Sequence, residues 1–136
     1  MKKYVSVVFI ILMLTLTACG GKGKDSSDKA AMLDKGVWPQ NEYTEKLPVP
    51  GGTVDWAILD TDSGSCSLSL SDISESEYNS WMKQLEQAGF SLIESRSEEV
   101  KGQDYVSVNT LISDGEKSLS ISYIPNQLTI YISFAK

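Results

Sequence analysis

Between Ser65 and Ser71 every second residue is serine, and the residues between are Cys66, Leu68 and Leu70. A period of two sends successive side chains to opposite faces, which a strand does and a helix does not. The same alternation returns twice. Leu119, Ile121 and Tyr123 alternate with Ser118, Ser120 and Ser122, and then Leu128, Ile130, Ile132 and Phe134 alternate with Thr129, Tyr131 and Ser133. One face of these strands is therefore apolar, while the other is rich in hydroxyls and nearly without charge. Such a chain is constrained to a half-buried antiparallel sheet whose apolar face needs a cover.

The cover is legible where the period changes. Ser74 and Glu77 have capping-box spacing, Ile73 and Tyr78 have hydrophobic-staple spacing, and Tyr78, Trp81, Met82, Leu85 and Ala88 recur at helical intervals until Gly89. Before the helix, Val54, Trp56 and Ile58 alternate with Thr53, Asp55 and Ala57, and Asp60-Thr61-Asp62-Ser63-Gly64 forms a turn into the serine-rich strand. After it, strands are expected over about 90–95, 105–112, 117–124 and 128–134. Glu98, Glu99 and Lys101 lie in a charged loop, and Asp114-Gly115 marks a hairpin. The expected class is α+β: a single largely antiparallel sheet, ββαββββ in sequence, with one helix packed on one face. The last strand, near the C-terminus, is a candidate sheet edge. Upstream, Trp38-Pro39 to Gly52 holds at most a short helical turn near Asn41–Lys46, with Trp38, Tyr43 and Leu47 at the core edge.

The N-terminus carries an address. Lys2 and Lys3 precede an uncharged run containing Val7, Val8, Phe9, Ile10, Ile11, Leu12, Met13 and Leu14. That run is shorter than the ~20 residues of a transmembrane helix and has signal-peptide form. Leu16-Thr17-Ala18-Cys19-Gly20 resembles the lipobox of bacterial lipoproteins. The resemblance implies that residues 1–18 are a signal peptide and that Cys19 receives a covalent diacylglycerol, the only prosthetic group expected. Gly20 is not the Asp that would mark inner-membrane retention. Two or more acyl chains give stable anchoring, at about 0.8 kcal/mol for each buried methylene. The expected location is the extracytoplasmic face of the cell membrane. Residues 19–36 read as the lipidated cysteine and a flexible tether with a reach of roughly 20–25 Å, and residues 37–136 as one domain.

Charge and residue inventory narrow the function. Losing residues 1–18, which hold Lys2 and Lys3 and no acid, takes the formal charge from −6 to −8. An acidic domain disfavours nucleic acid as a partner and admits a basic protein or peptide. There is no histidine, so Ser-His-Asp and Cys-His activation and His-containing zinc sites are excluded. Lys83 could serve a serine as base, yet no nucleophile motif lies near it. The acidic loop at 60–64 departs from a calcium loop, with its glycine one place early and Ser71 at the bidentate position. No metal site and no catalytic residues are expected. With Cys19 lipidated, Cys66 has no intrachain partner and reads as a small buried hydrophobe.

The candidate binding face is the hydroxyl side of the sheet: Ser67, Ser69, Ser120, Ser122, Thr129 and Tyr131, open to a protein, peptide or glycan of the envelope. Trp38-Pro39, Leu47-Pro48-Val49-Pro50, and Tyr78, Trp81 and Leu85 running into Ala88-Gly89-Phe90 resemble a family of small lipoproteins of Gram-positive gut bacteria that carry a domain of unknown function. That resemblance spans most of residues 37–136 and implies a location and a shared fold, with no site residues to carry over. The expected function is a non-catalytic, membrane-anchored binding module. The alternative is an acidic inhibitor or shield against basic envelope hydrolases such as lysozymes, with a histidine-free hydrolase third.

Overall fold

In the computed structural model, which describes residues 30–135, the alternating segments pair into one seven-stranded antiparallel sheet. The strands are β1 (Ala30–Met32), β2 (Thr53–Asp60), β3 (Ser65–Ser71), β4 (Ser91–Glu99), β5 (Val106–Ser113), β6 (Lys117–Ile124) and β7 (Gln127–Phe134), and α1 (Glu75–Gln87) lies between β3 and β4. The expected ββαββββ order is present with β1 added in front, and the balance is mostly sheet, with one 13-residue helix among the described residues. That helix is too short to cross a membrane. Cys19, the signal segment and most of the tether lie outside the described residues.

The spatial order is β1-β2-β3-β7-β6-β5-β4. β7 therefore lies between β3 and β6, which corrects the expectation that the last strand is an edge. The physical reason is in its composition: Leu128, Ile130 and Ile132 are fully buried beside Cys66, Leu68 and Leu70 of β3 and Leu119 and Ile121 of β6, so the most apolar strands take the centre. The long exposed edge is instead β4. It runs on to Glu99 where a charged loop was expected, because an edge strand exposed on both faces accepts charge at every position.

Two further expectations shift. The Leu33 backbone N–H donates to the Ala57 carbonyl at 2.8 Å and that of Gly36 to the Val54 carbonyl at 2.8 Å. Residues 30–32 therefore join the sheet and Leu33 and Gly36 bond to β2, ahead of the Val37 boundary read from composition, and Leu33 packs against the core. In β2 the pairing slips by one between Val54 and Trp56, a β-bulge at Asp55, whose carboxylate accepts from the Ser71 hydroxyl at 2.9 Å. Val54 and Ala57 turn inward and are buried, while Trp56 and Ile58 turn out. The unbroken alternation expected for Val54, Trp56 and Ile58 is thus replaced by a change of face. Gly52, at φ +87° just before the strand, lies where a Cβ would come within 2.5 Å of the Ser71 carbonyl oxygen, so the chain can approach β3 this closely only through glycine.

α1 covers the apolar face as its pattern requires. Ser74 and Glu77 form the reciprocal capping box, with the Glu77 N–H donating to Ser74 Oγ at 3.2 Å and the Ser74 N–H to Glu77 Oε2 at 2.9 Å. Tyr78, Trp81 and Leu85 are buried; the Tyr78 ring stacks on Tyr123 of β6 at 4.3 Å, and Trp81 Nε1 donates to the Pro48 carbonyl at 2.8 Å. The single turn at 41–45 covers the rest. Asn41 Oδ1 accepts from the Tyr43 and Thr44 N–H groups, and buried Lys117 donates from Nζ to the Glu45 carbonyl at 2.6 Å, as cations do at a helical C-terminus. Tyr43 then packs on Phe134 with ring centroids 5.0 Å apart.

Candidate binding face

The side of the sheet that no helix among the described residues covers collects the hydroxyls. Cross-strand register sets Thr129 between Ser69 and Ser122, and Tyr131 between Ser67 and Ser120. All six residues expected on this face therefore fall into two adjacent rows of three, on the three central strands. Pairing between uninterrupted antiparallel strands keeps opposite residues on one face, so the grouping follows from the register alone.

The rows continue outward on both sides. In β2, Trp56 pairs with Ser69 and Ile58 with Ser67. In β5, Asn109 pairs with Ser122 and Leu111 with Ser120, and in β4 Arg96 and Glu94 close the rows. One row reads Trp56, Ser69, Thr129, Ser122, Asn109, Arg96; the other reads Ile58, Ser67, Tyr131, Ser120, Leu111, Glu94. Trp56 is 38% exposed and Tyr131 is 43% exposed, which leaves two large rings on the same face with much of their surface in water. Ser69, between Trp56 and Thr129, is 2% exposed; Ser67, Ser122 and Thr129 are half-buried, and Ser120 is exposed. At the far end Arg96 Nε donates to Glu94 Oε1 at 2.6 Å beside a shallow hollow of about 300 Å³ lined by Asn109, Leu111 and Ser120. The stretch from β3 through β6 bears no charged side chain on these two rows.

Trp56 and Ile58 are the residues that alternation misplaced. A bulge carries no periodic signal of its own, so alternation groups Trp56 and Ile58 with Val54. The available hint was Asp55, an acid between two large apolar residues in a short strand.

A second concavity lies on the helix side, where α1 stops short of β4. It is a cleft of about 810 Å³ lined by Tyr78, Met82, Leu92, Val108, Tyr123 and Tyr105, with Glu75 and Asp104 also on its walls. Leu92, at 65% exposed, lies here without a helix over it.

Cys66 and Asp60, also singled out from sequence, have structural roles. Cys66 is fully buried, its thiol accepts from Asn41 Nδ2 at 3.8 Å, and burial pushes its pKa up against the smaller opposite effect of that hydrogen bond. The Asp60 carboxylate accepts from the Ser63 and Asp62 N–H groups at 3.2 and 3.1 Å, which closes the turn and holds its pKa below the usual value. Among the described residues no three His, Cys, Asp or Glu side chains converge as a metal site would require. No protein-family model matches the chain, and no curated protein matches it significantly.

Proposed function

We propose that the chain is a lipid-anchored, extracytoplasmic binding module that uses its open sheet face, and not a bond-making chemistry, to engage an envelope ligand. The anchor follows from the lipobox-like Leu16-Thr17-Ala18-Cys19. The resemblance in Trp38-Pro39 and Ala88-Gly89-Phe90 to lipoproteins of Gram-positive gut bacteria supports the same location. The observation that carries the binding role is the β2 bulge: it spends a large ring, Trp56, on the solvent side of the sheet, level with Tyr131 and the serine rows. Burying that ring inward would have stabilised the core by roughly 1.5–3 kcal/mol, so its outward placement is a cost that a ligand can repay.

The test places a photo-crosslinking residue at Tyr131, and a control at Glu98, in cells expressing the full precursor, with mass spectrometry of the adducts. A discrete adduct from position 131 alone is expected. Equal labelling from both positions would overturn the assignment of this face.

A second reading is favoured by the charge of the opposite margin. Glu94, Glu98 and Glu99 on exposed β4, with Glu75 and Asp104 on the neighbouring cleft, outnumber Arg96 and Lys101. This margin suits a basic protein, such as an envelope hydrolase held off by an acidic shield. Inhibition of a basic lysozyme by the full chain would then fade as salt shortens the Debye length below ~8 Å. Inhibition indifferent to salt, or absent at low salt, would remove this reading.

A further inference from the structure

We infer that the ligand of the open face is an uncharged oligosaccharide, held by stacking on Trp56 and Tyr131 and by the hydroxyls between them. The inference rests on the open face being the binding face and adds the chemical class of what it takes. Sugar rings offer apolar C–H faces edged by hydroxyls. A receptor for them needs flat aromatic surface for the first and neutral donor-acceptors for the second.

The two rows supply both. Trp56 lies in the row of Ser69 and Thr129, and Tyr131 in the row of Ser67 and Ser120, with β3 between the strands that carry the rings. Two strand spacings of ~4.8 Å and two residues of ~3.4 Å rise put the Cα atoms that carry the rings about 12 Å apart across the sheet. Two platforms at that separation fit two units of a chain polymer with a further unit between them, not a single sugar. Ser67 lies between them, and Ser120, Ser122 and Thr129 border them, each hydroxyl able to donate and accept.

Charge decides between classes of glycan. The central rows carry no lysine or arginine to pair with a carboxylate or phosphate; Arg96, at the far margin, is engaged by Glu94 at 2.6 Å. Asp55 and Asp60 flank the Trp56 side on β2, and the chain has a formal charge of −6. Anionic polymers are repelled by this arrangement, and a peptide would leave its charged groups unpaired. An uncharged saccharide meets neither penalty.

The experiment is native electrophoresis of the detergent-extracted full chain through gels that each contain one uncharged polysaccharide: a β-glucan, an α-glucan, a xylan, a mannan or a galactan. Retardation by at least one is expected. Trp56→Ala and Tyr131→Ala should each weaken it by about tenfold, the scale of one lost ring contact. Trp56→Phe and Tyr131→Phe should keep most of it, and Leu92→Ala in the helix-side cleft should leave it unchanged. Both rings are partly exposed, at 38% and 43%, so cooperative melting transitions check that the alanine variants fold. Absence of retardation in every gel, or retardation that survives either alanine change, would overturn the inference. A protein adduct from position 131 in the crosslinking experiment, with no retardation, would overturn the glycan while leaving the face in place. Absence of both would remove the two together.

Discussion

Two tryptophans separate the roles of residues in this fold. Trp81 is 1% exposed, lies on the buried side of α1 and donates to the Pro48 carbonyl, whereas Trp56 stands on the open face. Trp81→Ala should therefore cost about 3–5 kcal/mol of stability by urea denaturation, while Trp56→Ala, with 38% of the residue already exposed, should cost clearly less, about 1 kcal/mol. An equal loss at both sites would mean that Trp56 is part of the core. Burial also sets a pH limit. Cys66, with an ordinary value of 9.0, and Tyr43 and Tyr78, with ordinary values of 10.0, all have pKa values raised by burial. The folded chain holds these protons after the unfolded chain has released them, so the stability they contribute is complete below pH 9.0 and falls as pH rises through the raised values. The melting temperature should be level from about pH 7 to 9 and decline above; a rise above pH 9 would contradict the burial of these groups. The burial of Cys66 was legible from its place between serines and beside Leu68. The exposure of Trp56 was not, since it depends on how β2 is paired.

At the level of elements, β4 shows how a long edge is kept single. It carries a bulge between Leu92 and Glu94, and Glu94, Arg96 and Glu98 stand along its open face. Bulges and charges are the usual defences of an edge whose outward backbone groups lack partners. Replacing Glu94 and Arg96 together by valine should leave the melting temperature nearly unchanged and produce concentration-dependent light scattering. Clear solutions at high concentration would show that the charges do not serve this purpose. α1 is the opposite case: cap, stripe and stop all lay within 16 residues, 74–89, and the cap and stop are present, with Tyr78, Trp81 and Leu85 of the stripe buried, Met82 half-buried and Ala88 exposed. Local elements of this kind need only contacts at i+3 and i+4, so sequence displays them. The extension of β4 to Glu99 depended on β5, which supplies its partners from outside the segment.

Across the whole molecule, stability should be graded from centre to edge. β3, β7 and β6 share the fully buried rows, and β4 is exposed along its length. Amide hydrogen exchange should accordingly be slowest in Ser65–Ser71, Lys117–Ile124 and Gln127–Phe134, and faster by orders of magnitude in Ser91–Glu99. Uniform protection would contradict a central core. The sequence by itself determined the strands, the helix with its cap, the two-faced character of the sheet, and the six residues that now form two rows, because period-two and period-3.6 patterns are properties of a segment and its own backbone. Only the tertiary structure decided that β7 is central and β4 the edge, that residues 30–32 belong to the sheet, and that Trp56 faces the hydroxyls. Those outcomes depend on which strands pair and in what register. Pairing is settled by competition among many apolar rows for the middle of one sheet, and no single segment records its result.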